Sequence, residues 1–254
     1  MKFNTPLSLG TKTGLLICLF LPMALSQPAV AGPPYVLDDP VPTDYQHWEI
    51  YAFNTGTVTS DATDGKAGLD FNYGATPDLQ LTAVVPVAFS NPTGSGASVG
   101  VGNIELAAKF RFLHQADFGW DVAVFPRLFL PSASGSVGDQ HASLLLPIWL
   151  GRDWGKWYAF GGGGCVINRG GDSQDFCLLG WTVTRQVTAD LHLGVEIYHQ
   201  TADTKGGDPT TAVGVGALYD LTENVHLLGY VSTGVQNASE TNEFNWYTSL
   251  LFTY

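Results

Sequence analysis

The chain has 254 residues, of which 45% are hydrophobic and only 13% are charged, and its formal net charge is −12. Because about a quarter of the residues in a soluble domain are charged, this composition predicts a large apolar surface. The excess of acids over the 11 lysines and arginines excludes nucleic acid as a partner, since phosphate binding needs clustered cations.

Residues 1–31 have the organisation of a secretory signal peptide. Lys2 and Lys12 precede an apolar core at 14–25, and a small-residue stretch ends just before Gly32. This core is too short to span a bilayer, which takes about 20 apolar residues as a helix, and no later segment offers such a run. We therefore expect the chain to be exported and the mature protein to begin at Gly32.

The next segment, 32–46, is rich in proline and acidic residues. Its sequence, GPPYVLDDPVPTDYQ, cannot form a strand or a helix over its length because proline breaks both. We assign it to the periplasm, either as a tail or as a plug of the fold that follows. Asp38, Asp39 and Asp44 are candidates for binding a cation, but acids beside prolines are more typical of a linker. We expect neither a metal nor a cofactor.

Residues 47–254 alternate apolar and polar side chains over about twelve segments. The predicted strands lie at about 47–58, 66–75, 79–90, 101–113, 118–132, 140–151, 155–166, 174–184, 189–201, 209–220, 224–236 and 243–254. Short links and longer Gly-, Ser-, Asn- and Asp-rich links alternate between them, which is the asymmetry of short periplasmic turns and longer extracellular loops. The sequence predicts an all-β fold, a transmembrane antiparallel β-barrel of about twelve strands in the bacterial outer membrane.

The last strand has the clearest pattern, in the sequence FNWYTSLLFTY. Its aromatic and apolar residues fall mainly on one parity and polar residues on the other, so one side is expected to face outer-membrane lipids and the other the lumen. An aromatic carboxyl terminus is typical of the closing strand of such barrels. We therefore predict that the barrel-assembly machinery recognises the strand that ends at Tyr254.

The same alternation predicts which side chains face the lumen. The candidate pore-lining residues are Glu49, Asp70, Glu105, Lys109, Arg111, Asp121, Arg127, His192, Glu196, Tyr198, His226 and Tyr230. Two interpretations remain open. These groups either pair and fill the barrel, because an unpaired charge in a narrow lumen is costly, or line a water-filled path and select solutes. Twelve strands lie between the filled barrels of eight and the open channels of 16 to 18.

Cys165 and Cys177 bracket a predicted hairpin. The periplasm through which the chain passes is oxidising, so the pair is a disulfide candidate, with two buried free thiols as the alternative. No Cys or His pair at ligand spacing accompanies them, which argues against zinc.

An outer-membrane lipid hydrolase is a further alternative. His199 and Thr201 share an outward face near the extracellular rim. Nucleophilic catalysis needs an activated Ser or Cys beside the His and a third group that orients it, and the sequence YHQTAD offers Thr without an evident partner. We predict that the protein is not an enzyme.

Several segments together resemble a known family. They are GPPYVLDDPVPTDYQHWEIY, ATPDLQL, EIYHQTADT, YDLTENVHLL and NWYTSLLFTY, and they resemble bacterial outer-membrane barrels described as transporters, similar to meta-pathway phenol degradation proteins. The likeness spans nearly the whole mature chain. It implies passage of small molecules, aromatic or apolar ones among them, across the outer membrane. The alternative is a non-conducting barrel with a structural or surface-binding role.

Overall fold

The structure, a computed structural model, describes residues 33–134 and 137–254. The predicted signal peptide lies outside the described residues. Helices are minor in the described part, and none there is long and apolar enough to cross a membrane. The described residues include two helices of a single turn each, α1 (Gln115–Phe118) and α2 (Ala238–Thr241).

Strands make up most of the described chain. They are β1 (Trp48–Val58), β2 (Ala62–Thr76), β3 (Leu79–Pro92), β4 (Ser98–Val101), β5 (Glu105–Leu113), β6 (Asp121–Val124), β7 (Arg127–Phe129), β8 (Ser143–Asp153), β9 (Trp157–Asn168), β10 (Phe176–Gln186), β11 (Leu191–Gln200), β12 (Thr210–Thr222), β13 (Val225–Gln236) and β14 (Phe244–Thr253).

These strands form one closed antiparallel ring. Neighbours along the chain pair with each other, and β14 pairs with β1 from Glu49 opposite Thr253 to Val58 opposite Phe244. Both β4 and β5 pair with β3, and both β6 and β7 pair with β8, so each couple is one interrupted wall strand. The wall therefore has twelve strands, which confirms the predicted barrel.

The two interruptions differ from the continuous strands predicted at 101–113 and 118–132. Pro126 has no N–H to donate to the ladder and separates β6 from β7. At the other interruption, between β4 and β5, the Ile104 N–H donates to the Ser132 hydroxyl, and the Leu130 N–H donates to the Ile104 carbonyl, across 2.8 Å each. Side chains and irregular backbone thus replace regular pairing where β4 ends and β5 begins.

The connections are short mainly at one end of the barrel, which we call the periplasmic end. Its turns include 77–78, 154–156 and 223–224, whereas the opposite, extracellular end carries the longer links 130–142, 169–175 and 201–209. One link departs from this pattern, because β2 begins at Ala62 rather than near 66 and leaves only 59–61 after β1.

Alternation along each strand separates a lipid-facing surface from the interior. In β11, Val195 is 58% exposed and Ile197 is 51% exposed, whereas Glu196 is 4% exposed and Tyr198 is 6% exposed. The pattern puts apolar side chains outside and polar ones inside, as a membrane barrel requires because its outer solvent is hydrocarbon.

Candidate functional site: the occupied lumen

The segment before β1 lies inside the barrel, and we call residues 33–46 the N-terminal plug. The backbone N–H groups of Val36 and Leu37 donate to the Glu196 carboxylate across 3.2 and 3.0 Å. Near the periplasmic rim, Tyr45 bridges to Gly74 of β2. Of the two locations considered from the sequence, the structure has the plug rather than a periplasmic tail.

Apolar packing supports the same position. Leu37 is 1% exposed and belongs to a buried cluster that joins the plug to several wall strands, with Phe125, Trp149, Tyr198 and Ala212. Burial of such a side chain contributes roughly 1.5–3 kcal/mol. Periodicity could not place this segment, because its wall partners come from strands distant in sequence.

Lys109 of β5 joins the plug to the wall by charge. Its ammonium lies 2.8 Å from Asp38 Oδ1 and 3.8 Å from Asp39 Oδ2, and it donates to the Val41 carbonyl across 3.3 Å. The nitrogen also lies 5.0 Å from the centre of the Phe125 ring. Lys109 was predicted to line a pore, and in the structure its charge is matched by the plug. Asp38 and Asp39 thus face a lysine, and no group of three or more potential ligands in the described residues is arranged for a metal.

Glu196 of β11 is the second anchor, half a ring away from Lys109. Besides the two plug amides, it accepts hydrogen bonds from the Thr182 hydroxyl at 3.1 Å and the Tyr230 hydroxyl at 2.5 Å. Four donors satisfy this buried carboxylate, whose burial without partners would be costly. Glu196 and Tyr230 were predicted to line the pore, and in the structure Glu196 is held by plug amides, Thr182 and Tyr230.

A third contact, formed by the uncharged side chain of Gln80, was not predicted from the sequence. Gln80 Oε1 accepts from the Thr43 backbone N–H at 2.8 Å, and Gln80 Nε2 donates to Asn72 Oδ1 at 2.7 Å and to the Thr82 hydroxyl at 3.0 Å. Gln80 and Thr82 share the inward parity of β3, which was the available signal.

Other predicted lumen charges pair with one another. Arg127 binds Glu105 through two hydrogen bonds of 2.6 and 3.1 Å. Arg111 lies 3.4 Å from Asp78 and 3.5 Å from Asp121. These pairs agree with the interpretation that lumen charges neutralise each other.

Two cavities remain beside the plug. The lower cavity, about 190 Å³, lies between the plug and strands β1, β2, β3 and β5. The upper cavity, about 750 Å³, lies toward the extracellular end, and buried Val137 from the loop after β7 contributes to its lining. Thr55 and Lys66 line both, so the two cavities are adjacent at these residues.

The predicted pore-lining residues divide into two groups. Five of them line the lower cavity: Glu49, Asp70, Glu105, Lys109 and Arg127. Seven line neither cavity: Arg111, Asp121, His192, Glu196, Tyr198, His226 and Tyr230. His226 instead binds Asp220 near the periplasmic end, with Nδ1 2.6 Å from Oδ1, and Tyr198 accepts a hydrogen bond from Asn242 at 2.9 Å. Lys66, which borders both cavities, was absent from the prediction because β2 was expected to begin there.

Cys165 and Cys177 lie opposite each other in β9 and β10 and are joined by a disulfide. The predicted hydrolase pair has a different arrangement. His199 Nδ1 contacts the Thr211 hydroxyl at 2.8 Å, whereas the Thr201 hydroxyl accepts a hydrogen bond from the Cys177 backbone N–H at 2.9 Å. The described contacts therefore engage His199 and Thr201 with different partners.

The closed ring, the apolar outer surface and the polar interior define a bacterial outer-membrane β-barrel. Residues 49–252 match the model of the family described as "Putative MetA-pathway of phenol degradation", and the chain belongs to that family. The resemblance inferred from the sequence is confirmed. Among curated proteins, none matches the sequence.

Solved structures share the architecture. The COG4313 outer membrane channel from Pseudomonas putida F1 superposes with a TM-score of 0.70 at 15% identity, over 87% of this chain and 99% of that one. The NanC porin gives 0.55 at 10% identity, over 82% and 99%. The β domain of the Bordetella autotransporter BrkA gives 0.52 at 12% identity, over 82% and 98%. At these identities the likeness shows the fold.

Proposed function

We propose that the protein passes small molecules across the outer membrane, with aromatic or apolar compounds among its solutes. The observation that carries this proposal is the pair of adjacent cavities inside the closed barrel, which share Thr55 and Lys66 in their linings. The description of the family and the similarity to the COG4313 outer membrane channel support it. The charged residues that line the lower part of the path include Glu49, Asp70, Glu105 and Arg127.

The plug sets the expected size limit. With a lower cavity of only about 190 Å³, the resting barrel admits small solutes, and larger ones require the plug to move. Deleting residues 33–43 should therefore raise conductance several-fold in planar bilayers and admit larger sugars in liposome swelling assays. A control variant has the same residues replaced by a Gly/Ser stretch of equal length. It distinguishes the effect of losing the plug contacts from the effect of shortening the chain.

Two outcomes decide the function. Wild-type protein that releases small aromatic solutes from liposomes supports transport, whereas wild-type and plug-deleted proteins that both retain every solute would favour the non-conducting alternative. Heat-modifiable migration in gels establishes that each variant forms a barrel.

We propose further that the protein has no lipid hydrolase activity. The different partners of His199 and Thr201 support this proposal. Phospholipid turnover should be undetectable for wild type and for His199→Ala alike. Turnover that disappears in the variant would overturn it.

The carboxyl-terminal strand is our proposed signal for barrel assembly. Tyr254 is 65% exposed, and its backbone N–H donates to the Trp48 carbonyl at 3.0 Å, at the seam of the ring. Tyr254→Asp should lower the amount of assembled barrel in the outer membrane, whereas Phe118→Asp, an exposed aromatic outside the strands, should not.

A further inference from the structure

Lys66 differs from the other cations that point into the lumen. Lys109 is paired with Asp38, Arg127 with Glu105, and Arg111 with Asp78 and Asp121. Among the described residues, no carboxylate oxygen lies within 4.0 Å of the Lys66 ammonium, and no hydrogen bond joins its side chain to them. A cation in a narrow lumen is stabilised by a counter-charge, and here the wall provides none at contact distance.

The position of Lys66 makes this charge available to a solute. It lies in β2 directly across from Thr55 of β1, and these two residues line both cavities. A solute that moves between the upper and the lower cavity therefore passes the Lys66 ammonium.

The upper cavity has two chemically different sides. Toward β1 and β2 it presents Thr55, Thr57, Asp64 and Lys66. Toward the opposite wall its lining includes the apolar side chains of Phe129, Leu145, Val166, Phe176 and Leu178, with the polar Ser143 and Asn168 nearer the extracellular end of the same wall. Such a cavity fits a molecule with a charged group at one end and a compact apolar body at the other, because each part meets a matching surface.

Neighbouring acids limit the charge that this position accepts. Asp64 and Asp70 flank Lys66 on the inward side of β2. Asp70 accepts a hydrogen bond from Asn72 at 2.9 Å, and Glu105 is bound to Arg127. One negative charge is matched by Lys66, whereas a second on the same solute would be repelled by these acids.

We propose that Lys66 binds the carboxylate of a small monoanionic solute at the junction of the two cavities, with its aromatic body against the apolar side of the upper cavity. This inference rests on the proposed transport function and names a class of solute for it. Lys66 thus acts as a specificity-determining residue of the path.

The test uses benzoate, its neutral analogue benzyl alcohol and the dianion phthalate, with the purified mature protein in detergent and calorimetric titration. Lys66→Met should weaken benzoate binding by about tenfold or more, because a charge-assisted hydrogen bond is lost, and leave benzyl alcohol binding unchanged. Lys66→Arg should retain benzoate binding. Lys156→Met, at a periplasmic turn, is the matched control and should behave as wild type.

The outcomes separate this inference from the function on which it rests. Equal benzoate affinity in wild type and Lys66→Met, absence of benzoate binding to wild type, or equal weakening of benzyl alcohol would overturn the inference. So would phthalate binding as tight as that of benzoate. Release of solutes from liposomes is measured separately. If the barrel releases benzyl alcohol but the Lys66→Met substitution does not change benzoate binding, the transport function stands and only the proposed Lys66 binding site is overturned.

Discussion

At the scale of single residues, two interior charges, Lys109 and Glu196, are each held by several partners. Lys109 meets two plug carboxylates and a carbonyl, and Glu196 accepts four donors. Such groups fix the position of the plug in the lumen, because the loss of one charged or polar partner leaves the other partners buried without a match.

Lys109→Met should release the plug. Removing one member of a buried ion pair costs about 3–5 kcal/mol, since Asp38 and Asp39 would remain in the lumen without their cation. We expect higher single-channel conductance and faster protease cleavage within 33–46. Lys109→Arg, which keeps the charge, should stay near wild type, and an unchanged cleavage rate in Lys109→Met would contradict this role.

Asp78, in the turn after β2, predicts a pH dependence. Partial burial by itself raises its pKa, but the hydrogen bond with His114 at 2.6 Å and the charges of His114 and Arg111 outweigh burial and hold the pKa below its ordinary value. The ionised form is therefore favoured by folding. Its contribution is present above the unfolded value of about 3.9 and is lost as pH falls through the lower folded value.

Asp78→Asn should accordingly destabilise the barrel at neutral pH, and its difference from wild type should shrink below about pH 4. Urea unfolding in lipid vesicles at a series of pH values measures this. Asp117→Asn, at the same end of the barrel, serves as the control. A difference that stays constant down to pH 2 would rule out the ionised carboxylate as the cause.

At the scale of elements, the β9–β10 hairpin has a covalent link across its extracellular part. Cys165 and Cys177 are 12 residues apart in sequence, so their disulfide closes a short loop. The closed loop lowers the conformational entropy of the unfolded chain. For a loop of this length the chain-entropy model gives about 3 kcal/mol, and β pairing already present in denatured chains reduces the effect.

Cys165→Ser combined with Cys177→Ser should therefore lower the stability of the barrel by about 1–3 kcal/mol without changing conductance. Urea unfolding with and without reductant measures the effect. Reductant should shift wild type to the midpoint of the double variant and leave the variant itself unmoved. If reductant shifted both equally, the disulfide would not be the cause.

Sequence patterns predicted the strands in which alternate side chains face lipid and the lumen. In β11 and β14 every second residue faces hydrocarbon, so Val195, Ile197 and Phe252 identify the outer face without knowledge of any partner. The binding of the plug, by contrast, depends on neighbours distant in sequence. Polar residues of the interior, such as Gln80 and Lys66, gave only a parity signal and no indication of which would be paired.

At the scale of the whole molecule, the outer surface has to match the thickness of the membrane. Val195, near the middle of β11, and Val99, in β4 near the extracellular rim, are both strongly exposed on that surface. Their depth differs, and the cost of a charge on the lipid side depends on depth.

Val195→Arg should destabilise the barrel by about 2–4 kcal/mol, whereas Val99→Arg should cost about 0–1 kcal/mol. Unfolding in lipid vesicles gives both values. Equal costs at the two positions would contradict the assigned depth of β11 in the bilayer.

The seam between β1 and β14 also fixes an order of events during biogenesis. Because the first strand pairs with the last, the ring cannot close until the whole chain has reached the membrane. The plug is held by Gln80 and Lys109 on one side of the ring and by Glu196 on the other, so its binding site exists only after closure. We therefore expect residues 33–46 to dock after the ring has closed, so that their protection from proteases marks a finished barrel.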